Sequence, residues 1–121
     1  MPFEVSVSDN VAELVFAHPP VNAFTGKMWM ELPELITGLG QRADVRCVLI
    51  RAEGKGFCAG VDIKELADNA HAIVEVNKGN FLTFKAIHDC EIPVVSAPHG
   101  FVLGGGIGVC GASDAVIAAD N

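Results

Sequence analysis

The chain predicts an α/β fold, on three observations. Two segments near the start alternate apolar and polar residues, and two later runs, "VRCVLIRA" and "PVVSAP", read as buried strands. Helical periodicity separates them. Each buried run also leads into a glycine-broken turn. Strands that alternate with helices in a chain of 121 residues point to one mixed domain, or part of one.

In chain order, "FEVSVSD" and "VAELVFA" are strands joined by a turn at Asp9-Asn10. "HPPVNAF" is expected to be irregular, because Pro19 and Pro20 each fix a φ angle and remove a donor. Thr25 is a natural N-cap for "GKMWMELPELITGLGQ", which repeats apolar residues at Met28, Leu32, Leu35, Ile36 and Leu39. Pro33 inside it predicts a kink or a restart. "VRCVLIRA" follows as a strand and "EGKGFCAGVDIKEL" as a loop entering charged residues. Residues 70–90 read as a helix bearing Ile73, Val76, Phe81, Phe84 and Ile87. Pro93 opens the next strand, the glycine run enters a short helix, and "DAVIAA" is a last strand.

Half the residues are apolar, 19% are charged, and the formal net charge is −7. That composition is globular, and without a basic run it argues against binding a nucleic-acid backbone. The cysteines at 47, 58, 90 and 110 show no CxxC or CxxH spacing, so no zinc site is expected and each reads as a small core residue. Glu4, Asp9 and Glu13 precede any long apolar run, so no signal peptide is expected and a reducing, cytoplasmic setting fits.

The stretch "GFVLGGGIGVCGASD", residues 100–114, holds six glycines. Gly100, Gly104 and Gly108 have the GxxxG spacing of paired membrane helices, but Pro93, Pro98 and so many glycines make a poor spanning helix. Gly106, Gly108 and Gly111 spell GxGxxG, yet only Ala112 and Ser113 separate the last glycine from the next strand, where a dinucleotide fold needs a full helix. A third reading pairs this stretch with "GKGFCAGVDIKE". Both follow a buried strand and lead toward a helix, so both can expose backbone N–H groups at a helix start. Facing one another, two such loops make a two-donor oxyanion hole. Taken singly, each reads as a tight turn.

Together and in this order, "PPVNAF", "VRCVLIRAEGKGFCAGVDIKE" and "IPVVSAPHGFVLGGGIGVCGASDAVIAAD" resemble the crotonase, or enoyl-CoA hydratase/isomerase, superfamily over nearly the whole chain. Within it, "PPVNAF", "GVDIKE" and "GGGIG" are similar to the actinobacterial branch that hydrolytically opens rings of steroid-derived CoA thioesters. The resemblance implies a spiral of ββα units, of which residues 1–121 are the N-terminal portion of the core domain, the C-terminal half being absent. It implies an acyl-CoA enzyme with an enolate held by the N–H groups of Val61 and Gly105. Ala59, Gly60, Asp62 and Ile63 would line the CoA site, and Lys27, Lys55 and Lys64 are candidates for its phosphates or else surface lysines. Coenzyme A would enter only as part of the substrate, with no bound cofactor, metal, nucleic acid or membrane. The family's trimers and hexamers imply a homo-oligomer that covers strand edges and the apolar faces of the two long helices.

One departure matters most. Gly108 stands where a hydratase of the family places its first catalytic glutamate, and the second would lie beyond Asn121. Hydration needs two carboxylates to hold and deprotonate water. Hydrolytic or isomerising chemistry is therefore favoured, with a genuine enoyl-CoA hydratase or a non-catalytic CoA-binding subunit as alternatives. Among other side chains, Asp62 is either a ligand contact or a helix N-cap. His99 is a general base or a turn histidine bonded to backbone, and Cys58 a nucleophile or a packed residue. Glu65 is expected to face solvent, Asp114 to cap or pair, and Trp29 to sit in the core; His18, His71 and His88 have no assigned partner.

Overall fold

The computed structural model describes residues 2–120. Its main sheet has strand order β1-β2-β4-β6-β7, formed by Phe3–Ser8, Val11–Phe16, Cys47–Ala52, Val94–Ser96 and Ala115–Val116. The β1–β2 pair is antiparallel and the others are parallel. Asp9 and Asn10 turn the hairpin with φ 52° and 66°, the paired positive angles of a type I′ turn, which short Asx side chains tolerate. Alternation places Ala12, Leu14 and Phe16 of β2 and Val48 and Ile50 of β4 on the buried face.

A second, smaller layer repeats beside the first. Its β3 (Ala23–Phe24) and β5 (Gly60–Val61) pair in parallel, and Val102 forms a parallel bridge to Cys58. Of the main-sheet strands, β2, β4 and β6 are each followed by a short second-layer strand or bridge and then by helix. The helices are α1 (Gly26–Gly40), α2 (Ile63–Asp68) with α3 (Ala72–Asp89), and α4 (Gly105–Ala112). This is the ββα spiral that the resemblance implies.

The structure departs from the sequence reading at several boundaries. Ala23–Phe24 pair as a strand, because the two prolines end before them and leave their backbone groups free. The expected loop through residue 66 holds β5 and the start of α2. Only Ala115–Val116 of "DAVIAA" ladder, with β6. Among the described residues no helix is long and apolar enough to cross a membrane.

Thr25 caps α1, its side chain accepting the Met28 N–H at 3.2 Å. Pro33 does not break that helix, and α3 supplies the reason. A proline at 33 withholds the N–H that the Trp29 carbonyl would accept four residues earlier. The Thr83 hydroxyl on α3 donates to that carbonyl instead, at 3.3 Å in a buried position. Gly79 brings the two backbones together there, since a Cβ would stand 2.7 Å from the Trp29 carbonyl carbon.

The buried stripe of α3 is consequently Ala72, Val76, Gly79, Thr83 and Ile87. The expected stripe through Ile73 and Phe81 is wrong: these are 43% and 64% exposed, because α1 docks on the small-residue face. The stripes of α1 and α3 cover each other and are not left bare. Above them Phe3, Phe16, Phe24, Phe57 and Trp29 pack at centroid separations of 5.0–5.8 Å.

Thr83→Val keeps the shape and leaves the Trp29 carbonyl unpaired, so urea unfolding of the full-length protein should show a loss of about 1–2 kcal/mol. Pro33→Ala restores an N–H for that carbonyl. In its background the Thr83→Val loss should shrink by half or more; equal losses in both backgrounds would contradict the exchange of donors.

Candidate active site

The first glycine-rich loop is fixed from below by Asn22. This residue is 2% exposed and holds φ 55°, a left-handed angle that asparagine tolerates. Its Oδ1 accepts the His18 N–H at 2.8 Å. Its Nδ2 donates to the carbonyls of Glu53, Gly56 and Phe57 at 3.0, 3.1 and 3.3 Å. The Ala59 N–H returns to the Asn22 carbonyl at 3.1 Å. The turn after Pro20 and the loop that ends in Val61 therefore move as one piece.

The second loop lies alongside the first. The Phe57 N–H donates to Phe101 O at 3.0 Å, and the Leu103 N–H to Cys58 O at 2.9 Å. The parallel bridge between the loops pairs Cys58 with Val102. A Cβ at Gly60 would stand 3.3 Å from the Gly105 nitrogen. The nitrogens of Val61 and Gly105 are therefore at most about 7 Å apart. Gly60 and Gly104 hold φ 94° and 52°, in the region where glycine is unstrained.

Their N–H groups differ from those of their neighbours. The Asp62 N–H donates to Phe24 O at 2.9 Å, so the Val61 N–H, one residue earlier on the strand, faces the opposite edge, toward the second loop. The N–H groups of Gly106 and Ile107 donate to Leu103 O and Gly104 O at 2.9 and 3.0 Å. Gly105 opens α4, and its N–H meets no protein acceptor among the described residues. The Gly105 N–H thus stands at the positive end of α4.

A cavity of about 470 Å³ lies on the Val61 side of this junction, and Gly105 is not among its lining residues. Of the sequence-selected residues, Ala59, Val61, Asp62 and Ile63 line it, as does Lys64. Gly60 is buried against the second loop and supplies close approach. Lys27, exposed in the first turn of α1, and Lys55 do not line it. Sequence reasoning left His18 without a partner and passed over Leu103, yet both are in the wall with Pro19 and Pro20. The double proline was the available signal, since it forces an irregular turn against the loop. A second cavity of about 330 Å³, between α1 and α3, touches none of these residues.

The sequence pattern of enoyl-CoA hydratase/isomerase matches residues 6–121. The chain belongs to that family. It is 44% identical over 106 residues to the (7aS)-7a-methyl-1,5-dioxo-2,3,5,6,7,7a-hexahydro-1H-indene-carboxyl-CoA hydrolase of Mycobacterium tuberculosis, covering 86% of this chain and 43% of that one. It is 43% identical over 115 residues to the hydrolase of the same name from Rhodococcus jostii, covering 93% and 45%. Among solved structures, Pseudomonas aeruginosa DspI superposes with TM-score 0.89 at 27% identity, over 97% of this chain and 45% of that one. The chain spans about half the length of the curated relatives it matches.

Few side chains of this family member are free for chemistry near the two donors. Asp62 caps α2, accepting the N–H groups of Lys64 and Glu65 at 3.0 and 3.4 Å. His99 Nε2 bonds Gly54 O at 2.7 Å and is a turn histidine. Asp114 accepts the Val94 N–H at 2.8 Å. Glu65 does not simply face solvent: its Oε1 accepts the Gly26 N–H at 2.8 Å and caps α1. Among the described residues no group of three or more His, Cys, Asp or Glu could hold a metal ion.

Cys58 is fully buried, and burial pushes its thiol up to about 12, although the Gly60 N–H on its sulfur at 3.3 Å favours the thiolate. It is a packing residue and no nucleophile. At pH 8 only about one native molecule in ten thousand carries the thiolate. Ellman's reagent with peptide mapping should label Cys58 at pH 8 only after unfolding. Stability from keeping this thiol neutral is complete below pH 9 and declines from there toward pH 12. Fast native labelling at pH 8 would refute the assignment.

Proposed function

We propose that this chain is the oxyanion-hole portion of an acyl-CoA-processing enzyme. It forms the N-terminal part of the core domain, completed by a C-terminal part and assembled as a homotrimer or hexamer in the cytoplasm. The observation that carries this reading is the meeting of two glycine loops, where the N–H groups of Val61 and Gly105 have no acceptor among the described residues and Val61 lines an open groove. A thioester oxygen placed there accepts both, and each bond strengthens as negative charge builds on that oxygen. CoA lies along the wall of Ala59, Asp62 and Ile63 and enters as substrate, with no separate cofactor. Free cysteines suit a reducing compartment.

Hydrolysis or isomerisation is favoured over hydration. Gly108 brings no carboxylate to α4, and a Cβ there would lie 2.6 and 2.7 Å from Cε1 and Cε2 of Phe84 and overlap its Cζ. The space of a glutamate is occupied by an aromatic ring. The two relatives named as hydrolases of a methyl-dioxo-hexahydro-indene-carboxyl-CoA point the same way.

The experiment reads the thioester carbonyl directly, by infrared difference spectroscopy of carbonyl-labelled crotonyl-CoA bound to the full-length protein. Two fixed donors should move the stretch to lower frequency. Val61→Pro deletes one donor at a position that already carries a Cβ; it should remove most of the shift and lower turnover of a processed acyl-CoA by about 100- to 1,000-fold. Val61→Ala keeps the N–H and should keep the shift. No shift in the wild type would overturn the oxyanion reading, and rapid formation of 3-hydroxybutyryl-CoA would favour a genuine hydratase.

A further inference from the structure

The groove wall that α2 contributes rests on little packing. Ile63 and Lys64 line the groove, and Asp62 caps the helix that carries them. Yet α2 has six residues and none is buried; Glu65 and Leu66 are half-buried and the others exposed. A helix this short has no independent stability in water. Among the described residues its one hydrogen bond to another helix is at Glu65, whose Oε1 accepts the Gly26 N–H at 2.8 Å. Gly26 opens α1. A Cβ there would stand 3.3 Å from the Ala72 carbonyl oxygen, and one at Gly40 would stand 2.8 Å from Cys90 Sγ, so α1 and α3 start side by side and run in the same direction. The positive ends of two helices thus lie together where the Glu65 carboxylate binds.

We propose that Glu65 is a positioning residue of the CoA site: by accepting the Gly26 N–H it holds α2, and with it Ile63 and Lys64, against the body of the protein. The inference rests on the reading of this groove as the CoA site and adds the group that keeps its wall in place. Val61 is held independently, because β5 pairs with β3 and the Asp62 N–H donates to Phe24 O. Loss of the latch therefore frees the wall and leaves the Val61 donor where it is. A ligand that needs the wall then binds only the fraction of molecules in which α2 is docked, and its apparent affinity falls by that fraction. Thr25 is the natural comparison. Its side chain caps the same end of α1 through the Met28 N–H at 3.2 Å and has no hydrogen bond to α2 among the described residues.

Calorimetry with free CoA on the full-length protein tests this, together with amide hydrogen exchange. Glu65→Ala should weaken CoA binding by about 10-fold and speed exchange across Ile63–Asp68. Glu65→Gln keeps a carbonyl oxygen for the Gly26 N–H and should recover most of the affinity. Glu65→Asp keeps the charge but is one methylene too short, and should behave as Glu65→Ala does. Thr25→Ala lowers stability through the lost cap, yet CoA affinity should stay within about twofold of wild type. With saturating labelled crotonyl-CoA, Glu65→Ala should keep the carbonyl shift. Unchanged CoA affinity in Glu65→Ala, an equal loss in Thr25→Ala, or a lost carbonyl shift would overturn the role of Glu65. Failure of wild type to bind free CoA would instead overturn the reading on which it rests. If Glu65→Ala does not fold, Glu65→Asp decides, and unchanged affinity there refutes the proposal.

Discussion

The Asn22 carboxamide joins two segments that the sequence keeps 31 to 35 residues apart, and the arrangement of the groove follows from that union. Three carbonyls of the 53–57 turn converge on one NH₂ group, which has only two protons to share among them. Buried carbonyls without a donor are destabilising by about 1–3 kcal/mol each, so the turn has few alternative conformations. Once it is fixed, the parallel bonds from Phe57 and Cys58 to residues 101–103 fix the second glycine loop in turn. The chain thus places backbone donors by a succession of backbone contacts that begins at one side chain.

The helices provide a second constraint, centred on Trp29. Its carbonyl is released by Pro33 and taken by Thr83, its backbone admits α3 through Gly79, and its indole packs against Gly105. The indole N–H is buried without a partner among the described residues. One residue of α1 therefore sets the distance to α3 and also the depth of the first residue of α4. Both sides of the groove are held by contacts that tolerate little added volume.

Much of this was legible in the sequence, and the failures have physical causes. Strands β1, β2, β4 and β6 declared themselves by alternation or by apolar runs, and Thr25 by its capping chemistry. The two glycine loops could be paired because both follow buried strands. The stripe of α3 was misread because hydrophobicity selected Ile73 and Phe81, whereas the docking face is chosen by size, through Gly79 and Thr83. The short second-layer strands escaped notice because two residues have no periodicity. Glu65 and His18 were missed for a related reason. Their partners, the Gly26 N–H and Asn22 Oδ1, are placed by tertiary structure or by a left-handed turn, and no spacing rule encodes either.

The ladder between residues 57–58 and 101–103 has a thermodynamic consequence. Because those hydrogen bonds form when the chain folds, the ordering entropy of the two loops is lost during folding and not when a ligand arrives. Association at this site would then resemble the filling of a rigid mould. Its heat-capacity change would report the apolar area that the ligand covers, with little contribution from loop closure. The backbone amides of Phe57 and Leu103 should accordingly exchange with solvent as slowly in the empty protein as in the loaded one, a permanence unusual for loops so rich in glycine.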